Sequence, residues 1–203
     1  MVIKTEYGTL HISEGNDKLG PIYNIALPPI TTCNCEAVKF CGIKCYARKG
    51  RHNYPGARKA REDNAELYYS NPAAYFESIQ KAVKLQRYFR WHEAGDIPDR
   101  RYLEGIIDTA KKCKGTQFMA FTKQHDIVNK ALDDGLKIPR NLKIIFSGWP
   151  GFEMHNPYRF PEAHVTLKGL EHNIKRIQCK GRCCECLGCW QLRKGQQVEF
   201  DEH

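Results

Sequence analysis

The chain has 203 residues, a formal net charge of +9 and 41% hydrophobic residues, a composition that excludes a disordered protein and indicates one domain with at most a small appendage. No apolar run approaches the roughly 20 residues of a membrane-spanning helix, so we expect no membrane partner. The opening segment MVIKTEYGTLHI lacks the apolar region of a signal peptide, which predicts a cytoplasmic protein.

The first half of the chain begins with a short strand. The apolar run at 22–27 (IYNIAL) predicts a buried strand that ends at Pro28-Pro29. A cysteine-bearing loop follows at 31–50. Two helices are predicted over about 57–70 and 72–88, because Pro72 suits the first turn of a helix.

The second half alternates between strands and helices. Strands are predicted at 87–91, 116–123, 142–151 and 163–167, and helices at 99–113 and 124–135. This alternation predicts an α/β fold with a mostly parallel sheet. We expect a core over residues 1–170 and a cysteine-rich metal-binding extension over 171–203.

Polar or metal-binding residues follow four consecutive predicted strands. The cysteine loop follows the first strand, and ligands of parallel α/β folds bind beyond the carboxyl ends of the strands. We therefore expect one assembled site from these groups. The residues at the other three strand ends are His92, Glu93, Gly95, Asp96, Thr122, Lys123, Ser147 and Gly148.

The ten cysteines form two groups, four within 33–45 and five within 179–189. Only Cys113 stands apart, on a predicted helix, where a plain buried thiol is expected. Because disulfides are rare in the cytoplasm, both groups are predicted to bind metal. A disulfide framework is the alternative.

The first group comprises Cys33, Cys35, Cys41 and Cys45, spaced C-x-C-x5-C-x3-C. This spacing lacks the paired C-x2-C of zinc knuckles, whereas iron–sulfur clusters accept more varied loops. If three cysteines bind a cluster, one iron stays open for a small ligand, and Cys33 and Cys35 compete for one position. A structural zinc held by all four cysteines is the alternative.

The second group offers the spacing C-x3-C-x2-C-x2-C through Cys179, Cys183, Cys186 and Cys189. It is compact enough for one tetrahedral or cubane site, so we expect a second metal here, either zinc or an iron–sulfur cluster. Closed sites with four ligands are usually structural. Cys184 is a ligand, a resolving thiol or a bystander.

Charged groups near the first cysteines suggest a ligand. Gly95 lets the backbone approach a ligand and Asp96 offers a carboxylate for an amine or hydroxyl; an ordinary strand-to-helix turn is the alternative. Lys123 faces an anionic ligand or lies exposed. Residues 48–61 carry six basic residues and no acid, which suggests an anionic substrate, an anionic cofactor or nucleic acid.

Short motifs run in order over nearly the whole chain: KLG (18–20), LPP (27–29), CYA (45–47), FRWHEAGD (89–96), FTK (121–123), SGWP (147–150) and the final CW (189–190). As a set they resemble the phage gene product 88-like family, which looks like a compact relative of the radical S-adenosylmethionine (SAM) enzymes. The resemblance implies a partial (β/α) barrel with about five strands. It also implies a host cytoplasmic location.

By this resemblance, Cys41, Cys45 and a third cysteine, Cys33 or less readily Cys35, hold a [4Fe–4S] cluster. Its open iron would chelate SAM, and Gly95 and Asp96 would grip the SAM amino group. The usual superfamily spacing is C-x3-C-x2-C, but no cysteine stands two residues after Cys45.

The leading hypothesis is a radical SAM-like enzyme with cofactor-binding residues Gly95, Asp96, Lys123 and Ser147. An electron donor would drive cleavage of SAM, and the resulting 5′-deoxyadenosyl radical would abstract a hydrogen from an unknown substrate. One alternative is a zinc-stabilised nucleic-acid-binding or host-interaction phage protein without catalysis. Another is an iron–sulfur redox protein that does not use SAM.

Overall fold

The computed structural model describes residues 1–202. Its strands are β1 (Val2–Thr5), β2 (Gly8–His11), β3 (Tyr23–Asn24), β4 (Tyr88–Trp91), β5 (Gln117–Thr122), β6 (Leu142–Ser147), β7 (Glu162–Thr166), β8 (Ile177–Gln178) and β9 (Gln197–Asp201). Its α-helices are α1 (Cys35–Cys41), α2 (Pro55–Ser70), α3 (Pro72–Val83), α4 (Arg100–Lys112), α5 (His125–Asp133), α6 (Cys183–Cys186) and α7 (Gly188–Gln191). Two 3-10 helices, Tyr46–Arg48 and Gly50–Asn53, connect α1 to α2.

Seven strands form one sheet in the order β3-β4-β5-β6-β7-β9-β8, and every pair in it is parallel. Strands β1 and β2 form a separate antiparallel hairpin. The predicted α/β fold with a mostly parallel sheet is confirmed. Within residues 1–202 the strands β3 and β8 stand at the two ends of the strand order and each pairs with one other strand, so the sheet is open and forms no closed barrel.

The sheet is larger than the expected five or so strands because the cysteine-rich end of the chain contributes β8 and β9. Strand β9 pairs with β7 over five positions, from Glu162↔Gln197 to Thr166↔Asp201. Strand β8 has only two residues and gives no periodic signal in the sequence. The residues after 170 therefore belong to the same sheet as the residues before it.

Helix ends follow local capping rules. The side chain of Asn71 accepts a hydrogen bond from Ala74 N at the start of α3, and Asp99 accepts one from Tyr102 N at the start of α4. Helix α3 ends at Val83, earlier than the predicted residue 88, because Gln86 N donates to Val83 O in a turn that leads into β4. None of the helices within residues 1–202 has the length and apolarity needed to cross a membrane.

The two faces of the sheet are covered by different parts of the chain. In β4, Phe89 and Trp91 pack into the main core with α2, α3 and α4, and Tyr88 contacts Trp190 on the opposite face. This opposite face, called the inner face below, also buries Met119, Ile145, Val198 and Leu192. The C-terminal segment therefore folds across the inner face, because a parallel sheet needs both faces covered.

Candidate metal and cofactor site

A cavity of about 830 Å³ lies at the carboxyl ends of the parallel strands. It is lined by Asp96, which follows β4, by Lys123, which follows β5, and by Ser147 at the end of β6. This is the edge at which parallel α/β proteins bind ligands, and small-molecule sites span roughly 300–1,000 Å³. The structure therefore brings the polar residues of successive strand ends to one site.

Three of the four cysteines in the first group line this cavity: Cys33, Cys41 and Cys45. The fourth, Cys35, is exposed at the first residue of α1 and is not among the lining residues. The predicted loop contains this helix because Asn34 caps it, accepting hydrogen bonds from Glu36 N and Ala37 N. The same side chain donates to Lys123 O at 3.1 Å, which fixes the start of α1 beside β5.

Burial dominates the electrostatics of Cys33 and Cys41. Burial, followed by the negative charge of Asp96, raises the pKa of Cys33 to about 12. Burial also raises the pKa of Cys41, against the opposing positive charge of Lys123. Without a bound cation Cys33 and Cys41 stay protonated at neutral pH, so metal binding to them would release protons.

The chemistry of the wall thiols limits what the first cysteine group could hold. Among residues 1–202, no group of three or more His, Cys, Asp or Glu side chains is arranged to hold a single ion. The ligands of a cubane cluster bind separate iron corners and so stand farther apart than the ligands of one ion. Cys33, Cys41 and Cys45, which line one cavity wall, are the three thiols that a cluster with one open iron would need.

Gly95 occupies a position that excludes a side chain. Its φ is +77°, and a Cβ there would lie 2.7 Å from both Leu27 O and Thr32 Oγ1. Leu27 N also donates a hydrogen bond to Ala94 O at 2.9 Å, next to this glycine. The glycine therefore allows the turn after β4 to pack directly against the segment that leads into the cysteine loop.

Asp96 is buried and held by three donors. Oδ1 accepts hydrogen bonds from Thr122 Oγ1 at 2.6 Å and Ile97 N at 2.7 Å, and Oδ2 accepts one from Lys123 N at 2.8 Å. A carboxylate has about four acceptor positions. Among the described residues, one position on Oδ2 is left for a ligand.

Lys123 is half-buried rather than fully exposed, and its Nζ donates to Ser147 Oγ at 3.1 Å. Its positive charge is close enough to Cys33 and Cys41 to oppose the rise that burial causes in their pKa values. Lys123 therefore lies between the cysteine wall and the end of β6. A cation in this position favours an anionic group beside the thiols.

The second cysteine group closes the other side of the same cavity. Cys183 and Cys189 line it, and burial raises the pKa of Cys189 to about 12, with additional effects from Cys179, Cys183 and Cys186. The four residues predicted as ligands therefore lie near one another. Cys184 lies elsewhere, exposed and against Gly20, where an added Cβ would meet its Sγ at 2.4 Å.

The remaining cysteine and the basic segment have clear structural contacts. Cys113 is buried and its thiol donates to Gln80 O at 3.7 Å.

Three residues of the basic segment 48–61 line the cavity: Lys49, Arg51 and His52. Arg61 is instead buried, and its guanidinium donates to Ala47 O and His52 O, which anchors the two 3-10 helices to α2.

Sequence reasoning missed several residues of the cavity wall. These are Arg90, Phe121 and Phe200. His92, which was expected at the end of β4, also lines the cavity. It is buried with φ +56° and has no hydrogen-bond partner for either ring nitrogen within residues 1–202. Burial, followed by the charge of Arg90, lowers the pKa of His92 to about 3. The alternation Phe89-Arg90-Trp91 could have placed Arg90 on the inner face.

The fold and the cavity define a small α/β protein with a cysteine-lined cavity at the carboxyl edge of an open parallel sheet. The chain belongs to the phage gene product 88 family, whose model matches residues 5–164. The match includes the first cysteine group and all the strand ends named above, and it stops before Cys179. No curated protein and no solved structure matches the chain.

Proposed function

We propose that this protein is a radical SAM-like iron–sulfur enzyme in which Cys33, Cys41 and Cys45 hold a [4Fe–4S] cluster. The observation that carries the proposal is the division within the first group, where three thiols line the cavity and Cys35 does not. Three thiolates leave one iron of a cubane without a cysteine, which gives a small ligand a place to bind. In this proposal the open sheet is a partial (β/α) barrel.

The residues at the strand ends would bind SAM next to the cluster. The remaining acceptor position on Asp96 Oδ2 suits the SAM amino group, and the ammonium group of Lys123 with the hydroxyl of Ser147 suits its carboxylate. Gly95 lets the backbone of this turn lie close to the ligand. These four residues therefore act by binding and orienting.

When bound, the cluster would supply an electron from an external donor for the reductive cleavage of SAM. The chain itself would position the substrate and exclude water from the reaction. Apolar side chains of the wall, Met119, Phe121 and Val165, suit the second task. The substrate would occupy the part of the cavity beyond the SAM-binding residues.

The second group, Cys179, Cys183, Cys186 and Cys189, would hold an auxiliary metal, either zinc or a second [4Fe–4S] cluster. Cys183 and Cys189 line the cavity, so that metal would lie beside the proposed substrate region. We propose the host cytoplasm as the location, because both groups need reduced thiols.

The test is anaerobic purification and reconstitution with iron and sulfide, followed by metal analysis and a reaction with SAM and dithionite. The proposal expects roughly four irons at the first site, and cleavage of SAM into methionine and 5′-deoxyadenosine, detected by mass spectrometry. Cys35→Ser is the matched control for Cys33→Ser. Zinc alone after reconstitution, or an intact cluster that forms no 5′-deoxyadenosine, would overturn the proposal.

The second candidate is a zinc-stabilised phage protein that binds nucleic acid without catalysis. One observation favours it, because Arg48, Lys49, Arg51, Arg58 and Lys59 are exposed in one short segment. It predicts zinc in both cysteine groups and affinity for DNA or RNA that falls steeply with salt. The metal analysis described above separates it from the enzyme.

A further inference from the structure

Arg90 lies on the inner face of the sheet, between the two cysteine groups. Its neighbours in β4, Phe89 and Trp91, point into the main core, so the pleat directs Arg90 to the opposite side, where it lines the cavity. It lines the same cavity as Cys45 of the first group and Cys183 and Cys189 of the second. The guanidinium therefore belongs to the cavity that both cysteine groups line.

No carboxylate among residues 1–202 forms an ion pair with Arg90, and its buried Nε has no hydrogen-bond partner there. The acids of the cavity contact other residues. Two of them accept hydrogen bonds: Glu93 from Asn16 at 2.7 Å and Asp96 from Thr122 at 2.6 Å. The other three form ion pairs: Glu202 with Lys44 at 2.8 Å, Asp201 with His172 at 3.1 Å and Asp17 with Arg51 at 3.5 Å.

An aromatic pair holds the guanidinium in place. Arg90 Cζ lies 5.1 Å from the centre of the Phe121 ring, which contacts Phe200 edge-on with ring centres 5.8 Å apart. Lys18 Nζ lies 5.0 Å from the centre of the Phe200 ring. Two cations therefore stand over one aromatic pair, and both line the cavity.

We propose that Arg90 is an anion-binding residue that receives a carboxylate or phosphate group of a ligand in this cavity. A guanidinium offers planar pairs of N–H donors that match both groups, and desolvation in a cavity strengthens that pairing. The ring of Phe121 takes no hydrogen bond in its plane from the guanidinium, so the N–H donors of Arg90 remain for a ligand. The statement that this anionic ligand is the substrate of the enzyme would rest on the proposed function. Anion binding by Arg90 does not rest on it.

Equilibrium dialysis of the full chain, purified anaerobically, against radiolabelled inorganic phosphate at low ionic strength tests the proposal. We expect saturable binding that weakens at least tenfold in Arg90→Gln and several-fold in Arg90→Lys, which keeps the charge but loses the planar fork. Arg87→Gln is the matched control, because Arg87 lies just before β4, stands 5.5 Å from the Tyr88 ring and does not line the cavity. We expect its phosphate affinity within twofold of wild type.

Saturating SAM distinguishes the source of the anionic group. Phosphate binding that persists with SAM assigns the group to a second ligand, and displacement of phosphate by SAM assigns it to the SAM carboxylate. Absence of 5′-deoxyadenosine with phosphate binding intact would remove the proposed function and keep the anion site.

The proposal is overturned if wild type shows no saturable phosphate binding, or if Arg90→Gln and Arg90→Lys both bind phosphate within twofold of wild type. A loss of metal from the second cysteine group in Arg90→Gln, with phosphate affinity unchanged, also overturns it. In that case Arg90 balances the charge of the thiolates and binds no ligand.

Discussion

Thr122 Oγ1 donates a hydrogen bond of 2.6 Å to Oδ1 of the buried Asp96. This bond joins the turn after β4 to the end of β5. Asp96 N donates in turn to Thr32 Oγ1 at 3.3 Å, which links both strands to the segment before the cysteines. One residue, through its carboxylate and its backbone N–H, therefore holds together the three parts of the chain that form the candidate site.

Asp96→Asn removes a charge from this junction and gives it two N–H donors where the native group only accepts. We expect it to lower the free energy of unfolding by about 1–3 kcal/mol, because buried donors would face one another. Urea unfolding measures the change. Asp134→Asn is the control, since Asp134 is exposed and pairs only with Arg100. Equal stability of the two variants would contradict the role of Asp96 as a junction.

Gly95→Ala forces a Cβ into contact with Leu27 O and Thr32 Oγ1 at a positive φ. We expect a loss of about 2 kcal/mol or more in unfolding free energy, together with a lower metal content of the first cysteine group. Gly115→Ala is the matched control, because nothing lies within 4 Å of its added Cβ. A Gly95→Ala variant as stable as the Gly115→Ala variant would show that the close approach is not needed.

The exposed position of Cys35 predicts unequal effects of serine substitutions in the first group. Cys33→Ser, Cys41→Ser and Cys45→Ser should each lose most of the iron of one cluster, while Cys35→Ser should retain it. Iron and sulfide analysis after anaerobic reconstitution measures this difference. If Cys35→Ser loses as much iron as Cys33→Ser, the ligand assignment is wrong.

Glu199 predicts acid sensitivity of the segment that leads into the second cysteine group. Burial opposes its ionisation, but hydrogen bonds from Gln178, Arg176 and Asn173 prevail and lower its pKa from 4.5 to about 2. A depressed carboxyl pKa stabilises the fold above pH 4.5, and this contribution is lost as the pH falls towards about 2.

We therefore expect Glu199→Gln to be less stable than wild type by about 1–3 kcal/mol at pH 7. The difference should shrink as the pH falls below 4.5 and vanish near 2, the pKa of Glu199. Urea unfolding across this pH range measures it, and Glu171→Gln, at an exposed position, serves as the control. A difference that is independent of pH would contradict the assigned pKa.

The sequence predicted the parallel sheet because its inner strands carry local signals. Strands β4, β5 and β6 are apolar runs separated by amphipathic helices, and each lies within its predicted range. Helix α1 was missed because it has only seven residues, with a short apolar pattern, and lies within the cysteine-rich segment that was predicted to be a loop. Strands β8 and β9 were missed because they depend on pairing with β7, a contact distant in the chain.

The candidate site was predictable where a residue ends a strand or directly follows it, as Ser147 and Lys123 do. The division between Cys33 and Cys35 was not, because it depends on how Asn34 starts α1. The sequence also gave no sign that Cys183 and Cys189 share a cavity with the first group. That arrangement follows from the burial of Trp190 and Leu192 on the inner face of the sheet.

The most direct test is the electron paramagnetic resonance spectrum of the reduced, reconstituted protein before and after addition of SAM. We expect a cluster signal that SAM shifts, because SAM would bind the iron that lacks a cysteine. The shift should be retained in Cys35→Ser and absent in Cys33→Ser. A cluster signal that SAM leaves unchanged in the wild-type protein would contradict the proposed SAM site.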